Sequence, residues 1–242
     1  MRVTTDSKHY ADIADAIREK TGEATTYKPE QMAAGIGDVY EAGKAAVNVA
    51  GVLKFVSNGG SVENLFYRAD FQGMDEVTIE MPNSPESLSQ MFAFVVGLRK
   101  VTLKNLPKQA YNGYRFMYGG TDNLTSIEEL ELPDGIAFSN WTNFARYAPL
   151  LKSIMGRIDL SECTVVTNCF QNCTSLEDVS FMPKTIPLSI SFANSPNLSA
   201  DSIDSIVNGL ASVSGQTLTV HPNVAAKITE TDVTGKGWTL AY

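Results

Sequence analysis

Hydrophobic residues recur at nearly constant spacing along the central part of the chain, with polar residues between them. Leucine or methionine marks stand at Met74, Leu98, Leu124, Leu150, Leu176 and Leu198, with spacings of 24, 26, 26, 26 and 22 residues. Phenylalanine marks precede the later leucines by six to eight residues, at Phe92, Phe116, Phe144, Phe170 and Phe192. Short apolar runs that end near a proline, as at Met81-Pro82, form a third mark. Because the three marks share one period, they predict stacked repeats.

Each repeat is predicted to contain one short strand. In the first one, apolar Val77, Ile79 and Met81 alternate with polar residues, which is typical of a strand with one buried face. A loop would then direct the phenylalanine inward, and five stacked repeats would bury a core that one repeat cannot bury alone. The extra residue within 127–132 predicts a β-bulge there.

The repeats resemble the BspA-like leucine-rich repeats. The segments GLRKVTLKNLP, NLTSIEELELP and CTSLEDVSFMP carry this resemblance, which covers residues 74–212. It implies an α/β fold class: a leucine-rich-repeat solenoid of about five short-strand repeats, with an N-terminal helical segment and a C-terminal α/β cap. The family serves mainly as a binding scaffold. The expected domains are a helical attachment segment (1–48), the solenoid with its opening cap (49–198) and a capping segment (199–242).

Two amphipathic helices are predicted near the N-terminus. In 8–20, Tyr10, Ile13 and Ile17 share one helical face, and a second helix runs from about residue 30 to 47. The sequence ADIADAIREKTGEATTYKPEQMAAGI, within 8–47, resembles the N-terminal segment of tail and baseplate-associated proteins of tailed phages of Gram-positive bacteria. That resemblance implies that the helices attach the protein to other tail or baseplate proteins.

The C-terminal segment combines a helix with two strands. A helix is predicted over 202–210 with Ser199 as its N-cap, followed by strands at 217–220 and in the final GWTLAY. This ending, with its K-G-W-T-L sequence, resembles the terminal cap of phage-encoded repeat proteins. Its expected role is to cover an open end of the core.

Composition limits the partners of the chain. The 242 residues carry a net charge of −8, and an acidic chain repels phosphate backbones, so we expect no nucleic-acid partner. No run approaches the roughly 18 apolar residues that a membrane span needs, so no membrane insertion is expected. The polar N-terminus lacks the apolar core of a signal peptide. We therefore expect synthesis in the host cytoplasm and a final location in the virion tail.

The residues that usually carry catalysis are scarce or isolated. The chain has no P-loop and no G-x-S-x-G motif, and neither His9 nor His221 has a nucleophile or metal context. The cysteines at 163, 169 and 173 have no nearby histidine, so they are interpreted as buried thiols rather than zinc ligands. Paired acids such as Glu128 and Glu129 are interpreted as solvated surface. We expect no enzyme activity and no catalytic, cofactor-binding or metal-binding residues.

Five aromatic residues stand outside the phenylalanine series: Tyr111, Tyr114, Tyr118, Trp141 and Tyr147. Tyrosine and tryptophan provide large contact areas at low entropy cost and are enriched in binding hot spots. We interpret the five as a candidate binding surface without a packing role. The alternative is that they fill the loops between repeats.

The sequence thus favours a non-enzymatic structural or host-recognition component of a phage tail or tail-like particle. Its partners would be other tail proteins, through the N-terminal helices, and a host cell-surface protein or glycan; a homo-oligomer is possible. The main alternative is a bacterial cell-surface adhesin with the same repeats, and a cell-wall hydrolase is the least favoured reading.

Overall fold

The computed structural model describes residues 52–54, 62–71, 75–83, 85, 87–122 and 125–242. The predicted N-terminal helical segment, 1–48, lies outside the described residues. Eight strands form the larger sheet: β1 (Val52–Lys54), β2 (Glu76–Glu80), β3 (Lys100–Lys104), β4 (Ala110–Asn112), β5 (Glu129–Glu131), β6 (Ile136–Asn140), β7 (Ser153–Asp159) and β8 (Asp178–Phe181).

Six of these strands follow one another in a single parallel row, in the order β1-β2-β3-β5-β7-β8. Equivalent residues are paired in register, so that Val77 lies beside Val101 and Val101 beside Leu130. Alternate residues of β2 are buried, as its apolar pattern predicts. The strands predicted in the first two repeats are therefore confirmed, with ends shifted by one or two residues.

The strand β7 joins the row to a second pair of strands. Its first residues pair with β5, whereas Ile158 and Asp159 pair with β6, which in turn pairs with β4. The register shifts between Ile154 and Arg157, and Gly156 there has a φ of +88°. Such a bulge bends the strand and increases its local twist.

The predicted leucine-rich-repeat solenoid is wrong. The sheet is mostly parallel, its row of six strands curls into a half-barrel, and the described chain has few helices. The repeat spacing predicts how far apart in the sequence the residues of neighbouring strands are, but parallel sheets of different curvature share that spacing. The bulge predicted within 127–132 is also absent, because β5 keeps a continuous register with both neighbours. Register shifts occur instead in β7 and in the pairing of β4 with β6.

A column of aromatic rings fills the core. Phe66, Phe92, Phe116 and Phe144 stack successively, with ring centroids 5.2, 5.4 and 5.3 Å apart. Trp141 then lies 4.9 Å from Phe144 and 5.1 Å from Phe170, whose ring stacks on Phe192 at 5.0 Å. The phenylalanine marks of the sequence are thus all buried, as predicted.

A smaller parallel sheet and three helices complete the chain. The elements are β9 (Ile190–Phe192), α1 (Ala200–Gly209), β10 (Gln216–Val220), α2 (Pro222–Ala225), α3 (Glu230–Thr234) and β11 (Trp238–Ala241). The order of this sheet is β11-β10-β9. Ser199 caps α1, and its side chain accepts a hydrogen bond from the Ser202 amide, which confirms the predicted helix and cap.

The helix α1 lies along the outer side of β8. The backbone amides of Val179 and Phe181 donate to the hydroxyls of Ser202 and Ser205, both at 2.8 Å. Two serine side chains of a helix thereby take the hydrogen-bonding role that another strand would have at this edge.

Candidate functional site

Turn segments between the strands stack on one another through their main chains. The Arg68 amide donates to the Ala93 carbonyl at 2.9 Å, and the Phe94 amide donates to the Tyr118 carbonyl at 2.8 Å. The Gly119 amide continues the series to the Arg146 carbonyl at 3.0 Å. These bonds fix the spacing of the turns and bring side chains of successive turns beside one another.

An aromatic ladder, which we define as Tyr67, Phe94, Tyr118 and Tyr147, lies along these turns. Successive rings meet edge to face, with centroids 5.4, 5.4 and 6.2 Å apart. Unlike the phenylalanine column, all four side chains retain solvent exposure, and Tyr67 is 38% exposed. Edge-to-face contacts of this kind stabilise each ring by about 0.5–1.5 kcal/mol beyond its burial, so the ladder is ordered by its own members.

The main-chain conformation is unusual at two of the four ladder residues. Phe94 and Tyr147 both have a φ of +60°, in the left-handed region that few residues other than glycine occupy. Close approach of the turns also requires Gly119, because a Cβ atom there would collide with the Tyr147 carbonyl oxygen.

Three arginines accompany the ladder, and we call them the arginine row: Arg68, Arg115 and Arg146. The guanidinium of Arg68 lies over the rings of Tyr67 and Phe94, at 5.5 and 5.2 Å from their centroids. Arg115 lies 4.8 Å from the Tyr118 centroid, and Arg146 lies 4.8 Å from that of Tyr147. Arginine over an aromatic face is an attractive cation–π arrangement.

The structure divides the five predicted site residues into two groups. Tyr111 and Trp141 are 0% exposed and belong to the core, so they are removed from the predicted binding surface. The strands β4 and β6 pair with each other. Tyr111 is the central residue of β4 and Trp141 directly follows β6, so both lie at this pair of strands.

The other three predicted residues are brought together at the surface. Tyr118 and Tyr147 are in contact within the ladder, and Tyr114 lies beside them under the guanidinium of Arg115, 5.0 Å from it. The sequence interpretation missed Tyr67, Phe94 and the arginine row. A signal for them exists, because Tyr67-Arg68, Tyr114-Arg115 and Arg146-Tyr147 each place an arginine directly beside a tyrosine.

The exposed face of the strand row is covered by mutually paired charges. Arg99 contacts Asp75 at 3.0 Å and Glu129 at 2.6 Å, and it also binds Glu76. The hydrogen bond to Asp75, together with the charges of Glu129 and Glu76, raises the pKa of Arg99 above its ordinary value. These carboxylates hold neighbouring strands together, so they are accounted for without a catalytic role.

Two acidic residues, Glu128 and Asp178, have structural partners. Glu128 binds Lys152 at 2.8 Å, and Asp178 accepts a hydrogen bond of 2.7 Å from the Ser199 hydroxyl. His221 uses its Nδ1 to cap α2, accepting from the Asn223 amide at 3.2 Å. Within the described ranges, no group of three or more His, Cys, Asp or Glu residues could hold a metal ion.

The three cysteines are free and buried. Desolvation raises the pKa of all three thiols, and it raises that of Cys173 to about 12. The Cys173 thiol donates a 3.0 Å hydrogen bond to the Ala145 carbonyl. Burial and a raised pKa both suppress the thiolate form, which is the reactive one.

Among the helices in the part of the chain that the structure describes, none has the length and apolar content to cross a membrane. No protein-family model, no curated protein and no solved structure matches this chain.

Proposed function

We propose that this protein is a non-enzymatic recognition component of a phage tail or tail-like particle, and that it binds a host cell-surface protein or glycan through the aromatic ladder. The observation that carries the binding role is the row of partly exposed aromatic rings, each held by its neighbours. Exposed aromatic side chains that are already ordered lose little entropy when they bind, which is the property of hot-spot residues.

The tail assignment rests on the N-terminal segment 8–47 and its resemblance to tail and baseplate-associated proteins. In this proposal, those residues contact other tail proteins and the curled sheet presents the ladder to the host. Self-association through the same residues would bring several ladders to one particle and raise the avidity of binding.

The binding role is tested with fluorescently labelled protein on a panel of bacterial strains, read by flow cytometry. The double variant Tyr118→Ala/Tyr147→Ala removes two ladder rings, and we expect about 10-fold weaker binding or more. Tyr242→Ala is the matched control, because this tyrosine is 78% exposed and lies outside the ladder. Equal binding by the parent, the double variant and the control would reject the ladder as the binding surface.

The location is tested by mass spectrometry of purified particles and of the bacterial surface fraction. A peptide signal at constant ratio to other tail proteins supports the proposal. A signal confined to the surface fraction of cells without particles would instead support the adhesin.

A further inference from the structure

The arginine row carries charge that the described chain does not neutralise. Every salt bridge among the described residues involves Arg99, Lys100, Lys152 or Arg157, so Arg68, Arg115 and Arg146 have no carboxylate partner there. The other arginines of the described residues, Arg99 and Arg157, each bind acids of the chain. In a protein of net charge −8, three arginines without a carboxylate partner among the described residues are a local exception.

Stacking fixes the direction of these arginines. The Nε atoms of Arg115 and Arg146 are buried against the turns and have no hydrogen-bond partner, whereas both side chains as a whole are partly exposed. A guanidinium held in this way has fewer conformations to lose when it binds an anion. Its planar edge can donate two parallel hydrogen bonds to one carboxylate or phosphate group.

We propose that the arginine row and the aromatic ladder together bind an acidic polysaccharide. This inference rests on the proposed function and specifies the ligand class of the same surface. Arg68, Arg115 and Arg146 lie on three different stacked turns, so a polymer that carries several negative charges can contact more than one guanidinium at once. Phenol hydroxyls of the ladder provide hydrogen-bonding groups beside each charge, as sugar hydroxyls require.

The same geometry disfavours a single-stranded nucleic acid. Bases bind by stacking on open aromatic faces, but here Arg68 covers Tyr67 and Phe94, and Arg115 covers Tyr118. The acidic charge of the remaining chain also opposes a long phosphate backbone.

The test compares full-length protein on two immobilised polymers with the same sugar backbone: charged polygalacturonate and its uncharged methyl ester. We expect binding to polygalacturonate that weakens as NaCl rises from about 50 to about 300 mM, and binding to the ester that is weaker by about 10-fold or more. The triple variant Arg68→Gln/Arg115→Gln/Arg146→Gln should lose about 10-fold or more. Arg157→Gln, the matched control outside the row, should bind like the parent.

A second set of variants keeps the test decisive if the triple variant does not fold. Arg68 is exposed, so Arg68→Gln alone should fold and bind about threefold or more weakly. The charge-conserving pair Arg115→Lys/Arg146→Lys should recover only part of the affinity, because lysine lacks the planar, stacked edge.

Three results would overturn the inference: equal binding to the acid and the ester, arginine variants that bind like the parent, or binding to polyglutamate or oligothymidylate as tight as to polygalacturonate. The cell-binding measurements distinguish failure of this inference from failure of the proposed function. If cell binding depends on Tyr118 and Tyr147 but not on the arginines, the inference falls and the recognition role stands. If cell binding ignores the ladder altogether, both fall.

Discussion

Replacing Trp141 by alanine tests whether this side chain belongs to the core or to the binding surface. The indole is 0% exposed and packs against four rings at centroid distances of 4.9 to 6.1 Å: Phe138, Phe144, Phe170 and Phe181. It also joins the two halves of the phenylalanine column. A side chain in this position cannot be removed without leaving a cavity.

The expected loss of stability in Trp141→Ala depends on the buried area of the indole and on its unpaired N–H group. Burying about 150–250 Å² of a tryptophan contributes about 4–6 kcal/mol at about 25 cal/mol per Å². The Nε1 atom is buried without a hydrogen-bond partner, and its removal regains about 1–3 kcal/mol. The difference between these contributions is about 1–5 kcal/mol, and the cavity left behind adds a further cost. We therefore expect Trp141→Ala to lower the free energy of unfolding by about 3–5 kcal/mol, the range of large-to-small core substitutions.

Thermal unfolding followed by circular dichroism measures this change. A loss of this size lowers the Tm by about 6–20 °C in a chain of this length. Trp141→Phe keeps a ring and removes the unpaired N–H, so its Tm should lie much closer to that of the parent. Tyr242→Ala should not change it. A Tm for Trp141→Ala within about 1 °C of the parent would refute the core assignment.

Other substitutions test the bulge, one ion pair and the thiols. Gly156→Ala should lower the free energy of unfolding in urea by about 1–3 kcal/mol more than Gly135→Ala does. Both glycines have positive φ, but only a Cβ atom at position 156 would collide with the Leu132 carbonyl oxygen. Equal losses for the two variants would contradict this. Hydrogen bonds from Arg157 lower the pKa of Asp134 to about 2. The stability from this pair should therefore be complete above about pH 4 and lost as the pH falls towards 2; an NMR titration that is unchanged by Arg157→Gln would reject the pairing. All three buried cysteines should react slowly with a thiol reagent in native protein and rapidly in urea, and rapid native labelling would contradict their burial.

Local elements were predictable from the sequence because they depend on near neighbours. Alternating residues gave β2, and the capping serine with its apolar face gave α1. The buried phenylalanines followed from their period. The strands β4 and β6 were missed, since β4 has only three residues and one buried side chain. Their pairing with each other is a long-range property that no short pattern records.

The strand β7 pairs with β5 before its bulge and with β6 after it. Trp141, just beyond β6, lies in the core, whereas Tyr147, six residues later, remains partly exposed. In the sequence, both residues are aromatics outside the phenylalanine series. Only the three-dimensional structure shows that one is buried and the other is partly exposed.

The two serine hydroxyls that accept hydrogen bonds from β8 have a consequence for aggregation. An open edge of a parallel sheet offers amides to any extended segment of another molecule, and such edges are common starting points for fibres. Here Ser202 and Ser205 already accept the amide protons of Val179 and Phe181, and the body of α1 lies in the way. At high local concentration, many copies could therefore crowd together without merging their sheets through this end.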